Sequence, residues 1–370
     1  MNCRVCRKQE VEGLYKSPPL PLKLWPTLQT NTPQNQAVFL MLCRSCGHLQ
    51  TQPVSDNEID VMYSGEAFNC TNAAQNIERK RLIEEIQKKP IEDQRVLEVG
   101  GGRNSFLSHL SDTNFRIVVD FKVEDDVADD VDLVINANIE NVLDEEIELD
   151  QIYLFHTLEH LDNPVEVLKK LWGMLRDGGK IFVEVPDYCF DAENQPHYAL
   201  FQMHISMFTQ NTLTNCLAFS GFEQQIVLRH SGVLFGVFSK ATKIPVKENF
   251  YRESHDFASL FMKSQNVMQN KIDMASAEIQ DSTTAIFGGG GSTNLFLYNH
   301  PDLANKICFA VDNDPAKQGL YLFNGKIRII SKEEATRLNL QSLIVIDPSH
   351  PAYLSSSRFR VINLCLGGSL

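Results

Sequence analysis

Short apolar segments alternate with amphipathic ones through the middle of the chain. Apolar runs of strand length lie at 95–99, 116–120, 132–135, 151–155 and 180–185. Between the last two, residues 164–175 place apolar side chains at helical spacing: Val165, Leu168, Leu171, Trp172 and Leu175. We expect this helix to end at a cap formed by Gly178-Gly179. Strands that alternate with helices are typical of a doubly wound α/β sheet.

Two further apolar runs follow at 222–229 and 233–239. Only His230-Ser231-Gly232 separates them, which predicts an antiparallel hairpin at the edge of the sheet. The last third of the chain repeats the pattern, with a predicted helix over 254–280 that leads into a strand and a glycine run over 284–292. Strands are then predicted at 307–311, 326–330, 342–346 and 359–364. This part is therefore predicted to form a second, smaller Rossmann-like unit.

The composition is that of an ordinary soluble globular protein, with 43% hydrophobic and 22% charged residues among 370. No apolar run reaches the roughly 18 residues of a membrane span, and the first residues form no apolar leader. We therefore expect a cytoplasmic location and no membrane partner. The net charge of −13 argues against a nucleic-acid partner, because affinity for phosphates needs cations. The first 50 residues are basic, which suits either an anionic ligand or a solvated surface.

Four of the nine cysteines form two Cys-x2-Cys pairs, Cys3/Cys6 and Cys43/Cys46. Four thiolates at this spacing predict a structural Zn²⁺ site, because the protein would fill all four tetrahedral positions. The N-terminal module is too short to bury a strong core. Bound zinc would supply the missing folding free energy, which is about 10–16 kcal/mol in zinc-finger peptides.

One apolar strand ends in Gly100-Gly101-Gly102, and the next one ends on Asp120. A glycine turn lets the backbone approach a ligand closely, and an acid about twenty residues later can accept hydrogen bonds from ribose hydroxyls. The segments 154–161 (LFHTLEHL) and 176–186 (RDGGKIFVEVP) follow in order. The ordered set resembles the class I S-adenosylmethionine-dependent methyltransferases.

That resemblance implies S-adenosylmethionine as the cofactor and assigns its contacts to eight residues: Glu98, Gly100, Gly102, Asp120, Asn138, Ile139, Phe155 and His156. The glycines would turn beneath the methionine part, Asp120 would bind the ribose, and Asn138-Ile139 would flank the adenine. Phe155 and His156 would line the cofactor edge that faces the substrate. A structural role is the alternative for Asp120, as a strand-end acid, and for the histidines, which often only hydrogen-bond in place.

Three regions together resemble the sugar C-methyltransferases of deoxysugar pathways. They are the cysteine module with its continuation to Tyr63-Ser64-Gly65, the segment 201–209 (FQMHISMFT) and the segment 310–319 (AVDNDPAKQG). The resemblance implies a class I methyltransferase Rossmann-like α/β core between an N-terminal zinc-binding module and a smaller C-terminal Rossmann-like domain. The implied division is a zinc-binding module at 1–60, a helical connector at 61–93, a methyltransferase domain at 94–242, a helical linker at 243–282 and the C-terminal domain at 283–370.

In that family the acceptor is a nucleotide-linked 4-keto-6-deoxy sugar, which is methylated at carbon through an enolate. His204 matches the family's catalytic histidine and is the expected base, because a histidine of pKa about 6.5 can take a proton at neutral pH. Tyr63, Phe201 and His160 are the expected substrate contacts. The family usually has Tyr-x-Glu-His where this chain has Phe-Gln-Met-His at 201–204. N- or O-methylation of a nucleotide-activated or amino sugar is therefore the alternative.

A catalytically silent binding protein, whose zinc module docks a partner, is the alternative from another class. The presence of Glu98, Gly100, Gly102 and Asp120 argues against it, because a domain without activity has no use for cofactor contacts. A nucleic-acid methyltransferase is disfavoured by the acidic balance of residues 51–370.

Overall fold

A computed structural model describes residues 1–21, 24, 26, 35–53, 55, 58, 73–140, 147–230, 232–241, 249–277, 279, 283–346 and 359–366. Within these ranges the strands, numbered in chain order, are β1 (Val11–Pro21), β2 (Asn35–Cys43), β3 (Leu49–Gln50), β4 (Arg95–Val99), β5 (Phe115–Asp120), β6 (Leu133–Asn136), β7 (Leu149–Phe155), β8 (Leu175–Pro186), β9 (Ser206–Met207), β10 (Phe222–His230), β11 (Val233–Lys240), β12 (Thr284–Phe287), β13 (Phe309–Val311), β14 (Tyr321–Leu322), β15 (Ile327–Ile330), β16 (Ser342–Val345) and β17 (Arg360–Asn363). The α-helices are α1 (Ala73–Gln87), α2 (Asp125–Asp129), α3 (Pro164–Met174), α4 (Tyr188–Asn194), α5 (Gln210–Phe219), α6 (Tyr251–Ser276), α7 (Gly291–Asn299), α8 (Pro301–Ala304) and α9 (Lys332–Arg337).

Seven strands form the central sheet in the order β10-β11-β8-β7-β4-β5-β6. Strands β4 to β8 are parallel to one another, and β11 runs antiparallel between β8 and β10. Every residue of β7 is buried, as expected for a parallel strand that is covered on both faces. The predicted α/β class, the predicted strands of this sheet and the predicted hairpin are confirmed.

The predicted cap of helix α3 at Gly178-Gly179 is wrong. The helix ends at Met174, and Leu175 is already extended, with φ −76° and ψ 131°. The register between β7 and β8 jumps from the pair Leu149–Leu175 to the pair Gln151–Lys180, so the glycines form a bulge inside β8. Gly178 supplies the positive φ, 77°, that the bulge requires.

The N-terminal region forms an antiparallel sheet of order β1-β2-β3-β9, and its last strand comes from the middle of the chain. Leu49 pairs with Met207, and Gln50 pairs with Ser206. Backbone hydrogen bonds therefore join the cysteine module to the segment just after His204. The sequence pattern does not indicate this pairing, because both strands have only two residues and lie far apart in the chain.

The C-terminal sheet has the order β14-β15-β13-β12-β16-β17 and is parallel except for β14. The predicted second α/β unit is thus present. Helix α6 precedes it, and its side chains Phe261, Met268 and Ile272 pack in one core with β1, β2 and the C-terminal strands. None of the helices in the described ranges combines the length and the apolar character that crossing a bilayer needs.

Candidate functional site

The order of the central sheet reverses beside β4, because the chain proceeds to β5 and β6 on one side and returns to β7 on the other. Loops that leave the carboxyl ends of such strands diverge, and ligands of open α/β sheets bind in the resulting crevice. The glycine loop after β4 and the turn 156–160 after β7 meet at this point. The Thr157 hydroxyl donates to the Val99 carbonyl (2.9 Å) and ties the two loops together.

The glycine loop passes too close to neighbouring atoms for a side chain. Gly100 has a φ of 83°, and a Cβ built on it would lie 2.2 Å from the Thr157 hydroxyl oxygen. A Cβ on Gly102 would lie 2.1 Å from the Lys122 carbonyl oxygen. Only glycine therefore fits at both positions.

Glu98 organises the chain that follows this loop. Its buried carboxylate accepts hydrogen bonds from the Ser105 hydroxyl (2.5 Å) and from the amides of Phe106 (3.2 Å) and Leu107 (3.4 Å). Burial raises the pKa of Glu98, and these three hydrogen bonds oppose the shift. The cofactor contact assigned to Glu98 stays a prediction.

Asp120 lies at the carboxyl end of β5 and faces the glycine loop. One carboxylate oxygen accepts from the Gly102 amide (2.9 Å) and the other from the Lys122 amide (3.1 Å). Burial raises the pKa of Asp120, and the two amide hydrogen bonds oppose the shift. Each oxygen retains a further lone pair, so the group fits the two ribose hydroxyls that S-adenosylmethionine presents.

The other predicted cofactor contacts lie along the same edge of the sheet. Asn138 and Ile139 follow β6; the Asn138 side chain accepts from the Glu140 amide (2.9 Å), and Ile139 is buried. Phe155 ends β7, and its ring packs in an aromatic cluster with the Arg79 guanidinium 4.8 Å from the ring centroid. The ring therefore belongs to the core beside the site. The cofactor roles assigned to these residues stay predictions.

Gly102→Ala is expected to weaken S-adenosylmethionine binding at least about tenfold, or 1.4 kcal/mol. The new Cβ collides with the Lys122 carbonyl and must displace the loop. Isothermal titration calorimetry measures the affinity. Gly173→Ala in helix α3 is the matched control, because no atom lies within 4 Å of its new Cβ and alanine favours the helix. Equal affinities for the two variants would argue against a cofactor at this loop.

Histidines and glutamates gather where the turn after β7 faces the segment before β9. His156, with a φ of 52°, reaches the Glu184 carboxylate through Nε2 (3.1 Å) and the Glu159 carboxylate through Nδ1 (3.4 Å). His160 donates from Nδ1 to the Met203 carbonyl (2.7 Å) and directs Nε2 toward Glu159 (3.7 Å). The Nδ1 of His160 therefore carries a hydrogen, since a carbonyl only accepts.

His204 is buried beside this group. Its ring centroid lies 4.6 Å from that of Phe201 and 5.1 Å from that of His160, both edge-on. The Ile205 amide donates to the Glu159 carbonyl (3.0 Å), so the turn after β7 holds the chain on both sides of His204. The structure thus brings the predicted base together with two predicted substrate contacts. Tyr63, the third, lies outside the described residues.

The protonation states within the cluster differ sharply. Burial lowers the pKa of His204 to about 3, so this imidazole is neutral at neutral pH. Burial also lowers the pKa of His156, but the hydrogen bonds and charges of Glu159 and Glu184 outweigh it and raise this pKa to about 9. Burial raises the pKa of Glu159, yet the neighbouring histidines prevail and lower it to about 2. A neutral imidazole thus lies beside a charged His156–Glu159 pair.

The four cysteines Cys3, Cys6, Cys43 and Cys46 converge in one cluster. Their sulfur atoms all lie within 4.8 Å of one another, with Sγ–Sγ distances of 3.6 Å for Cys3–Cys46 and 3.5 Å for Cys6–Cys43. Zn–S bonds of about 2.3 Å place tetrahedral sulfurs about 3.8 Å apart. The donor set and its spacing therefore fit a single Zn²⁺.

The residue after Cys3 links this cluster to the loops of the candidate site. Arg4 is buried, and its Nη1 donates to the carbonyls of Thr51 (2.8 Å) and Ile205 (3.1 Å). Its Nε donates to the Asp162 carboxylate (3.1 Å). Ile205 follows His204 directly, and Asp162 follows the histidine turn. The cysteine module thus contacts both loops that build the site.

Three further residues at the site are not among those predicted from the sequence: Glu159, Glu184 and Gln202. Glu159 carries a signal, because an acid between two histidines in LFHTLEHL is suited to charge pairing, and Glu184 carries one as an acid within an apolar strand. Glu184 also pairs with Arg79 through Nε (3.1 Å). Gln202 is buried, and neither amide atom has a hydrogen-bond partner within the described part of the chain. No sequence pattern indicates that the Gln202 amide is buried without such a partner.

Residues 73–225 match the family model of a methyltransferase domain. The matched segment runs from α1 through most of the central sheet and contains the glycine loop, Asp120 and the histidine cluster. The strand order and the site define the class I methyltransferase fold. Residues 73–225 accordingly form an S-adenosylmethionine-dependent methyltransferase domain. No curated protein sequence matches the chain.

Several solved methyltransferase structures are similar to the chain at low sequence identity. One is the 1,6-didemethyltoxoflavin-N1-methyltransferase of Burkholderia thailandensis, 15% identical over 52% of this chain and 96% of that chain, with a TM-score of 0.41. Another is an S-adenosylmethionine-dependent methyltransferase of Clostridium acetobutylicum, 9% identical over 45% and 90%, with a TM-score of 0.35. The CurJ carbon methyltransferase is 17% identical over 51% and 59%, with a TM-score of 0.37. Similarity at this level carries no inference about the acceptor.

Proposed function

We propose that the chain methylates a carbon of a nucleotide-linked 4-keto-6-deoxy sugar. The observation that carries the proposal is the neutral, buried His204 at the switch point of the sheet, beside a charged His156–Glu159 pair. A carbon next to a ketone becomes a nucleophile only after it loses a proton, so methylation at carbon needs a base in such a position. An amine acceptor needs weaker proton abstraction or none.

S-adenosylmethionine supplies an electrophilic methyl group on a sulfonium when it is bound. Asp120 holds the ribose in this proposal, and His204 takes the proton from the carbon beside the ketone. The electron pair of the broken C–H bond forms a C=C bond, and the carbonyl π pair moves onto the ketone oxygen, which gives an enolate. His204 is a weak base, so hydrogen bonds to the enolate oxygen must supply the difference, which is about 1.4 kcal/mol for each pKa unit.

The proposed sugar contacts are His160, Phe201 and Tyr63, to which we add Gln202. The Gln202 amide supports this addition, because a buried amide without a partner among the described residues can bind a sugar hydroxyl as donor or acceptor. We also propose that Zn²⁺ occupies the four-cysteine cluster in a structural role, since four thiolates leave no open coordination position. A cytoplasmic location and the lack of a nucleic-acid partner belong to the same proposal.

We expect one substrate proton to exchange for deuterium when the enzyme is incubated in heavy water with nucleoside-diphosphate 4-keto-6-deoxyhexoses and without S-adenosylmethionine. The reason is that enolate formation is reversible while the methyl donor is withheld. Mass spectrometry of the recovered sugars measures the exchange, and samples without enzyme correct for spontaneous enolisation. A protein that binds S-adenosylmethionine but exchanges no proton in any of these sugars would contradict the enolate route.

The second candidate function is N- or O-methylation of a nucleotide-activated or amino sugar. Phe201 and Met203 favour it, because neither side chain offers the hydroxyl or carboxylate that usually accompanies the base. A methyl group found on nitrogen or oxygen of the product would select this function.

A further inference from the structure

Glu159 is a buried carboxylate whose neighbours are the imidazole rings around it. Its side chain is 1% exposed, and no backbone amide of the described residues donates to either oxygen. Carboxylates buried in this way are costly unless a positive charge compensates them. The protonated His156 supplies such a charge, so the carboxylate stays ionised within the cluster.

Three imidazoles surround this carboxylate. The Nδ1 of His156 lies 3.4 Å from it and the Nε2 of His160 lies 3.7 Å from it. One ring nitrogen of His204 lies within 4.8 Å of both the carboxylate and a His160 nitrogen. Glu184 holds the far side of His156, and Arg79 of α1 pairs with Glu184. The charge of His156 also acts on the buried Asp191.

The charges around His204 shift its pKa in opposite directions. Burial and the charges of His160 and His156 favour the neutral imidazole, whereas the charge of Glu159 favours the protonated one. Glu159 also fixes the loop through its backbone, because its carbonyl accepts from the Ile205 amide. Its carboxylate therefore faces the site where positive charge would develop.

We propose that Glu159 is a positioning residue whose carboxylate stabilises the His204 imidazolium formed when the substrate loses its proton. This inference rests on the proposed function. The substrate C–H bond breaks and its proton moves to a ring nitrogen of His204. The C–H electron pair forms a C=C bond, and the carbonyl π pair moves onto the ketone oxygen. Glu159 keeps its negative charge throughout, as the buried aspartate does beside the histidine of a serine protease. It compensates the new cation, while the enolate carries the new anion.

Glu159→Gln tests the role, because glutamine keeps the shape and removes the charge. We expect the rate of deuterium exchange into nucleoside-diphosphate 4-keto-6-deoxyhexoses to fall about 10²-fold or more, with sugar KM unchanged. Glu159→Asp should recover part of the loss. Glu166→Gln is the matched control, since Glu166 is exposed and pairs only with Lys169 on α3 among the described residues. Unchanged affinity for S-adenosylmethionine verifies that each variant folds.

A second measurement does not depend on the sugar. Nitrogen NMR of the imidazole rings should show His156 protonated in the wild type until about pH 9, and a lower pKa in Glu159→Gln. The control Glu166→Gln should leave the pKa of His156 unchanged, because Glu166 lies outside the cluster. An unchanged His156 pKa would overturn the proposed charge on Glu159.

The remaining outcomes separate the two proposals. If the wild type exchanges no proton, the proposed function fails and the role of Glu159 fails with it. If the wild type exchanges and Glu159→Gln exchanges equally fast, only the role of Glu159 is overturned.

Glu159, His160 and His204 also have the donor atoms of a cation site. If elemental analysis shows that Glu159→Gln loses a bound divalent ion that Glu166→Gln keeps, the carboxylate is a metal ligand and the positioning role is wrong.

Discussion

His204→Ala is expected to lower the turnover number for methyl transfer about 10³-fold while S-adenosylmethionine affinity stays within a few-fold. General base catalysis contributes about 10²–10⁴-fold, and burial keeps the His204 imidazole neutral beside Glu159. Steady-state kinetics with a nucleotide-linked keto sugar measures the loss, and calorimetry measures the cofactor affinity. His156 cannot replace His204, because its pKa of about 9 keeps it protonated at neutral pH.

The matched control is His255→Ala, because His255 is exposed on helix α6. This variant should keep wild-type turnover. Turnover by His204→Ala within tenfold of the control would show that His204 is not the base. The second candidate function would then gain support, since an amine acceptor needs no strong base.

Cys43→Ser is expected to remove bound zinc and to lower the melting temperature by on the order of 10 °C. Cys43 is buried at the end of β2, and β2 pairs with both β1 and β3. Loss of the fourth thiolate therefore loosens the whole N-terminal sheet. Elemental analysis measures zinc per chain, and calorimetry measures the melting temperature.

Cys308→Ser is the matched control for this substitution. Its thiol lies outside the cluster and donates to the Thr284 carbonyl (3.0 Å), a bond that a serine hydroxyl can also make. This variant should keep its zinc and melt near the wild-type temperature. Zinc content that stays the same in Cys43→Ser would remove the four-cysteine site from the proposal.

The cysteine module is also expected to influence catalysis, because β3 pairs with β9 and Arg4 binds the Ile205 carbonyl. Ile205 and β9 directly follow His204. Zinc loss should therefore reduce turnover beyond what the fall in stability explains at low temperature. Zinc remains structural in this account, since its effect on catalysis passes through the backbone of this segment.

The sequence predicts the parts of the fold that local patterns determine. Buried parallel strands such as β4 and β7 are continuous apolar runs, and their periodicity is visible without any neighbour. The predicted end of helix α3 is wrong because Gly178 has two common uses, as a helix cap and in a bulge with positive φ. The choice between them depends on the register with β7, which is a tertiary property.

The candidate site also has a part that local sequence patterns predict and a part that depends on tertiary structure. The glycine loop and Asp120 are close in sequence to the strands that place them, so their positions follow from the motif. The position of Glu159 depends on the turn after β7, where His156 adopts a φ of 52°. Its burial depends further on the segment that carries His204. The contact of Arg4 with both loops arises only after the N-terminal sheet adds β9. Such features can be identified only in the folded chain.

The most direct test of the central claim is the position of the transferred methyl group. S-adenosylmethionine labelled with carbon-13 in its methyl group should be incubated with the enzyme and the nucleotide-linked keto sugars. The account predicts a labelled product whose carbon spectrum places the methyl on a ring carbon beside the former ketone. A labelled methyl on nitrogen or oxygen, or no transfer by protein that binds the cofactor, would contradict it.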